Sequence, residues 1–318
     1  MHPAPISVNI YISGSLAYDR IMDFPGKFSD HIFPEKIHIL NVCFTVSGMV
    51  EKFGGTAGNI AYSLSLFNEK PIILATIGKD YQEYFAWLGK NNLPAEGIKI
   101  IDGEFTAGAY ITTDRSDNQI TGFNPGAMKY PSEYDFTHAE PENSIALIAP
   151  GNLQDMAEYA RSYKSKGINY ICDPGQSLTS WQGNSLLEFM RGSMALISND
   201  YELEMIIKMT GLNKSGLLGL SKTIITTFGE KGSHISTSDY DISVPAAKIH
   251  DVVDPTGAGD AYRAALIKGL IMGKDIETAA KMGAVAATFA IEKYGTQEHH
   301  FTYEEFVERY NSNFGEFR

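Results

Sequence analysis

Short apolar runs alternate with longer segments of helical periodicity over most of this chain. Val8 to Ile12 reads as a strand ending at Gly14, Asn59 to Phe67 as a helix, Pro71 to Ile77 as a buried strand, and Tyr81 to Lys90 as a helix. The rhythm returns with strands at Ser144 to Ala149, Ile168 to Cys172, Ala195 to Ser198 and Thr223 to Thr227. Between them lie helices at Leu153 to Lys166 and Tyr201 to Met209. Such alternation predicts an α/β fold whose mainly parallel sheet is covered on both faces. A ligand site is then expected beyond the carboxyl ends of the strands.

Two stretches break the pattern. Residues 24–50 are irregular, with Pro25, Pro34 and a strand-like run from Ile37 to Val46. Ala107–Thr113 and Gln119–Phe123 flank the polar turn Asp114–Asn118 and read as a hairpin with no helix to pack under. It is expected to belong to a small sheet standing off the main body, as a flap over a site or as a plain surface hairpin. The C-terminal third is helical from Gly257. A second helix there, about Ile276 to Glu292, is crowded with Ala and Gly, which admits close approach of another helix or of a flat ligand. Thr302 and Glu305 fit a capping box opening a last helix.

Composition narrows the classes. The 318 residues carry 38 acids against 26 bases, a net charge of −12, with no Lys/Arg block, so nucleic acid is excluded as a partner. No window reaches the ~18 apolar residues of a membrane span. Met1–Pro5 has no basic leader character, and Cys43 and Cys172 lie far apart without metal-ligand spacing. A reduced, cytoplasmic globular protein is expected. P-loop, H-E-x-x-H, G-x-S-x-G and H-R-D motifs are absent. The glycines of Phe53–Asn59 precede a helix without making G-x-G-x-x-G, and no clean strand is read before them.

The sharpest segment is Asp254-Pro-Thr-Gly-Ala-Gly-Asp260, directly before a helix. Small residues at Gly257, Ala258 and Gly259 let backbone approach a ligand, and free N–H groups at a helix start attract an anion. Asp260 there would repel that anion unless it has a task, such as accepting the proton of an attacking hydroxyl. A well-capped helix after a glycine turn accounts for the same spacing.

This segment, extended to Tyr262, resembles the D-T-x-G-A-G-D-x-F signature of the ribokinase-like (PfkB) carbohydrate and nucleoside kinases. Other landmarks of that family follow in order: Gly14-Ser-Leu-Ala-Tyr-Asp19, Gly54-Gly55-x-x-x-Asn59, Asn199-Asp-Tyr-Glu202, Thr227-Phe-Gly-Glu-Lys-Gly232 and Gly295-Thr-Gln297. The resemblance covers about residues 6 to 310. Within the family, Phe24-Pro-Gly26, Phe123-Asn-Pro-Gly-Ala-Met128, Asp173-Pro-Gly-Gln176, Asp260-Ala-Tyr-Arg263 and Gly295-Thr-Gln-Glu298 are similar to bacterial adenosine kinases in particular.

The resemblance implies one three-layer α/β/α domain over residues 1–318, with a small β lid from about 17–50 and 104–126. It implies ATP-dependent phosphorylation of the 5′-hydroxyl of a purine nucleoside, adenosine foremost, with other nucleoside or sugar kinases and a non-catalytic nucleotide sensor as alternatives. Asp260 would be the base, with Gly257, Ala258 and Gly259 forming the anion hole. Ser15, Asp19, Gly55, Asn59, Phe123 and Gln176 would bind the acceptor. Asn199, Thr227, Gly229, Gly232, Arg263 and Ala287 would bind ATP, and the Gly295 loop would close the nucleotide end. Glu202 would reach Mg²⁺ through water, and Asp254 and Thr256 would line a site for a monovalent cation such as K⁺. A homodimer through the lid is the expected assembly. Three departures stand out: Pro255 replaces a usual Thr, Ala265 a common glycine, and Ala109 an aromatic that would sandwich adenine against Phe123.

Overall fold

A computed structural model describes residues 8–39, 41–116 and 118–317. Met1–Pro5, Leu40 in the strand-like run and Asp117 in the hairpin turn lie outside the described residues. The strands are β1 (Asn9–Ser13), β2 (Ala17–Asp23), β3 (Met49–Gly54), β4 (Ile72–Gly78), β5 (Ile98–Ile101), β6 (Ala107–Thr113), β7 (Gln119–Asn124), β8 (Ser144–Ile148), β9 (Asn169–Cys172), β10 (Ala195–Asn199), β11 (Ile224–Thr227), β12 (Ser233–Ser236) and β13 (Asp241–Val244). The helices are α1 (Thr56–Ser65), α2 (Gln82–Lys90), α3 (Leu153–Lys166), α4 (Gly183–Met190), α5 (Asp200–Thr210), α6 (Lys214–Leu218), α7 (Ala258–Ile271), α8 (Ile276–Ile291) and α9 (Tyr303–Phe314).

The large sheet runs β13-β12-β11-β10-β9-β8-β1-β4-β5, parallel from β5 to β11, with β12 and β13 antiparallel at one edge. Alternation along the strands builds two cores. Ile10 and Ile12 of β1 and Leu147 of β8 face Ile60, Leu64, Ala261 and Val285. Tyr11, Ala146 and Ile148 face Tyr159, Tyr163 and Ile206 on the other side. This is the expected ribokinase-like three-layer α/β/α arrangement. No described helix is long and apolar enough to cross a membrane.

A separate four-stranded sheet, β3-β2-β6-β7, forms the small lid, and β6 matches the expected strand residue for residue. Two expectations need correction. Pro34–Ile39 is a 3₁₀ turn and residues 41–46 have no ladder, so the strand-like run is not a strand. Phe44 of this run goes instead into a local aromatic cluster, 4.7 Å from Phe24 and 5.4 Å from Phe28 between ring centres. The glycines before α1 do follow a strand, β3. Met49 and Val50 of that strand are exposed, so it lacks the buried apolar run by which a core strand is recognised.

The small residues of α7 and α8 serve mainly helix packing. A Cβ at Gly269 would lie 2.8 Å from Ala279, and one at Gly283 would lie 2.8 Å from the Tyr262 ring.

Candidate active site

Two glycine-rich helix starts meet at the carboxyl ends of the parallel strands, and their backbones behave differently. At α1, Gly55 has φ +89°, and a Cβ there would sit 2.5 Å from the Ser15 carbonyl. Ser15 then consumes the free donors: its Oγ accepts from Thr56 N at 3.0 Å, and its carbonyl accepts from Ala57 N at 3.0 Å. Thr56 Oγ1 donates in turn to the Pro150 carbonyl at 2.7 Å. This start is a closed clamp between β1 and β8, and Ser15, expected to touch the acceptor, acts within it.

At α7 most of the corresponding donors are open; Ala258, expected in the anion hole, is the exception, its N–H being spent on the Pro255 carbonyl at 3.2 Å. Gly257 (φ +81°) provides no side-chain cap, and the N–H groups of Gly257, Gly259 and Asp260 have no partner among the described residues. Three converging donors at a helix start make an anion hole. Asp260 stands beside it, one oxygen accepting from Asn59 Nδ2 at 2.8 Å. Burial pushes its carboxyl up to about 6, against the opposing pull of Arg263 and of the Asn59 hydrogen bond. A carboxylate poised there suits a general base near neutral pH.

Arg263 is buried and does not reach outward. Its Nε lies 2.6 Å from Asp173 Oδ2, at the end of β9. Gly259 makes room for it, since a Cβ there would be 2.7 Å from the guanidinium. Asp173 is 2% exposed and its Oδ1 is unpartnered, so burial raises its carboxyl despite the nearby cation. Asp173 was not singled out from the sequence, although it ends an apolar strand and opens the Asp173–Gln176 stretch. Glu202 and Asn199 form the capping box of α5, at 2.8 and 2.7 Å. Burial lifts the Glu202 carboxyl too, with Asp173 adding repulsion. Asn199 and Thr227 are paired across β10 and β11, side by side at the strand ends. Gly229 and Gly232 shape the turn that follows, and Ala287 is a half-buried position on α8. No group of three or more His, Cys, Asp or Glu able to hold a metal is found among the described residues. Asp254 uses both oxygens on backbone, accepting from Thr256 N at 2.9 Å and Gly295 N at 3.1 Å, which ties the signature turn to the Gly295 loop.

The lid supplies the opposite wall. Asp19, Ala109 and Phe123 are directly opposed across β2, β6 and β7, so they share one face. The Asp19 carboxylate leans over Gly54, where a Cβ would be 2.7 Å away, and it has no hydrogen-bond partner among the described residues. Burial, followed by Asp254, raises its pKa. Tyr110 lies on the other face, accepting from Arg20 at 3.0 Å, as strand alternation requires. Phe123, Met128, Pro150, Gln176 and Ser177 line a cavity of about 480 Å³. Ala109 places no ring opposite Phe123.

His299, beside the Asn59 end of α1, is fully buried. Ser63 Oγ donates to the Asn59 carbonyl, so it accepts from His299 Nε2, leaving Nδ1 unprotonated and unpartnered. Burial accordingly lowers its pKa to about 4. The unfolded chain binds a proton that the fold refuses, so this group removes stability as pH falls below its unfolded value. Between pH 7 and 5 the expected loss is about 2 kcal/mol. Denaturant melts of His299→Gln should show a pH dependence flatter by that amount, and parallel profiles would refute it.

Comparison with known proteins adds an independent line. The family model described as pfkB family carbohydrate kinase matches residues 27–301. A nucleoside kinase of Methanocaldococcus jannaschii is 32% identical over 284 residues, spanning 88% of this chain and 93% of its own length. The solved nucleoside kinase of Burkholderia thailandensis in complex with inosine superposes with a TM-score of 0.84 at 33% identity, covering 96% of this chain and 98% of that one. The solved M. jannaschii nucleoside kinase gives a TM-score of 0.86 at 29% identity, covering 98% and 100%.

Proposed function

Because this chain belongs to the pfkB family of carbohydrate kinases, we propose that it transfers the terminal phosphoryl group of ATP to the 5′-hydroxyl of a purine nucleoside, adenosine foremost. The observation that carries the reading is the open helix start at Gly257, Gly259 and Asp260, set beside a carboxyl whose pKa is pushed up to about 6. Asp260 accepts the hydroxyl proton while the N–H groups hold charge developing on the phosphoryl oxygens. Asp19 accepts hydrogen bonds from the sugar hydroxyls. Asn199, Thr227, Gly229, Gly232 and Ala287 line the nucleotide path, with Arg263 adding positive potential from beneath. Mg²⁺ would be met through water by Glu202, beside the unpaired oxygen of Asp173, and when bound it neutralises phosphate charge. K⁺ beside Asp254 and Thr256 belongs to the same proposal, as does a homodimer through the lid, whose β7 edge is exposed along its length.

The base is where the acceptor is chosen. Phe123 offers one stacking face and Ala109 none, and a stacked base is worth about 1–3 kcal/mol. Gln176 carries both a donor and an acceptor, so it can meet the edge of adenine or of hypoxanthine. Adenosine should therefore be phosphorylated with some tolerance of inosine and other purine nucleosides. Ala109→Phe is expected to lower the adenosine KM several-fold, about the value of part of a stacking contact, with ribose activity unchanged or reduced. The deciding measurement is kcat/KM for adenosine, inosine, ribose and fructose on the wild-type protein. Ribose or fructose ahead of adenosine would overturn the nucleoside assignment.

A further inference from the structure

Behind Asp260 runs a chain of hydrogen bonds with a single possible polarity. Trp87 Nε1 donates to Gln297 Oε1 at 2.8 Å, and an indole N–H can only donate. Gln297 must therefore turn its amide nitrogen the other way, where it meets Asn59 Oδ1 and Tyr84 Oη, each at 3.0 Å. Tyr84 imposes the same orientation independently. Its proton goes to the Gly54 carbonyl at 2.8 Å, so its oxygen is left to accept from Gln297. With Oδ1 occupied, Asn59 presents Nδ2 to Asp260. Gln297, Asn59 and Tyr84 are 3%, 5% and 0% exposed, so water does not compete for these groups. Trp87 is itself held between Phe53 and Tyr62, with ring centres at 5.1 and 5.8 Å. Gly58 is the glycine this arrangement needs, since a Cβ there would lie 2.0 Å from Tyr84 Oη and 3.0 Å from Gln297 Nε2.

We propose that Trp87 and Gln297 are positioning residues for phosphoryl transfer, fixing through Asn59 which oxygen of Asp260 faces the acceptor hydroxyl. The inference rests on Asp260 as the base. Asn59, expected from the resemblance to grip the sugar, has both halves of its amide engaged by protein. Gln297, expected at the nucleotide end, turns inward to α1 instead. If Asn59 were free to rotate, its carbonyl could face Asp260, and the ionised carboxylate would lose a donor and gain a repulsive neighbour. Trp87 makes no hydrogen bond to Asp260 itself, and Gln297 and Asn59 stand between them.

The test is a double-mutant cycle on full-length protein, read as kcat against pH with ATP and adenosine. Trp87→Phe keeps the stacked ring and removes the donor. It should lower kcat about fivefold to tenfold, the size of one neutral hydrogen bond, move the acid limb of the profile to higher pH, and leave the KM for ATP within about twofold. In an Asn59→Ala background the same substitution should change kcat by less than about twofold, because the link is already cut. Gln297→Met, measured in parallel, interrupts the chain at its centre and carries the same expectations, so failure of one variant to fold leaves the comparison intact. Equal losses in both backgrounds, or an acid limb that stays in place, would overturn the positioning role while leaving Asp260 as the base. An Asp260→Asn enzyme with more than a tenth of wild-type kcat would instead overturn the base itself, and the relay with it.

Discussion

Asp260→Asn is expected to lower kcat about a hundredfold or more, the usual contribution of a positioned general base. The substitution preserves shape and can still accept from Asn59 Nδ2, so the anion hole at Gly257 and Gly259 should hold ATP nearly as before. Loss in kcat without loss of ATP affinity is the signature to look for. The pH dependence supplies a second reading of the same residue. A base works only when ionised, and burial raises this carboxyl to about 6. The wild-type rate should therefore rise as pH increases through about 6 and level off above it, while the residual rate of the variant should lack that limb. Retention of more than a tenth of wild-type kcat would remove Asp260 from the role.

The second large effect is expected at Asp19. Its carboxylate is held half-buried over Gly54 with no protein donor among the described residues, a costly state unless a ligand supplies the hydrogen bonds. Asp19→Ala should remove about 2–4 kcal/mol of transition-state stabilisation, since hydrogen bonds to a charged acceptor are the strong ones. A 2′,3′-dideoxynucleoside should lose the same interaction from the other side. Substrate and residue then form a cycle in which the second change adds little to the first. Fully additive losses would place Asp19 away from the sugar.

Much of the fold and part of the site are legible in the order of residues because local rules act there. The strand at Ile72–Gly78 reads from its continuous apolar run. The helix at Leu153–Lys166 reads from its period, and the structure bounds it with an Asn152 cap and Gly167 at φ +78°. The Gly257–Asp260 start and the Thr302–Glu305 box are each contained within a few consecutive residues, so spacing alone identifies them, whereas Asn199 and Glu202 stand out only through the family resemblance. Lid strands β2 and β3 are less legible. One face of such a strand is half exposed, and the alternation that would mark it is weak; residues 41–46 show the opposite failure, an alternating pattern that finds no partner strand.

By itself, the sequence determined the alternating architecture, the signature turn, the placing of the Asp260 carboxylate at a helix start, and the absence of a ring at Ala109. Tertiary structure alone decided what those groups meet. Ser15 closes the α1 start and leaves the α7 start open, Arg263 pairs with Asp173 across 90 positions of chain, and Gln297 joins Trp87 to Asn59. Propensity, capping and periodicity are interactions of neighbours in the chain, and they leave their mark in spacing. Hydrogen-bond polarity and carboxylate burial are set by atoms brought together from distant segments, and they exist only once the sheet, its helices and the lid have assembled around them.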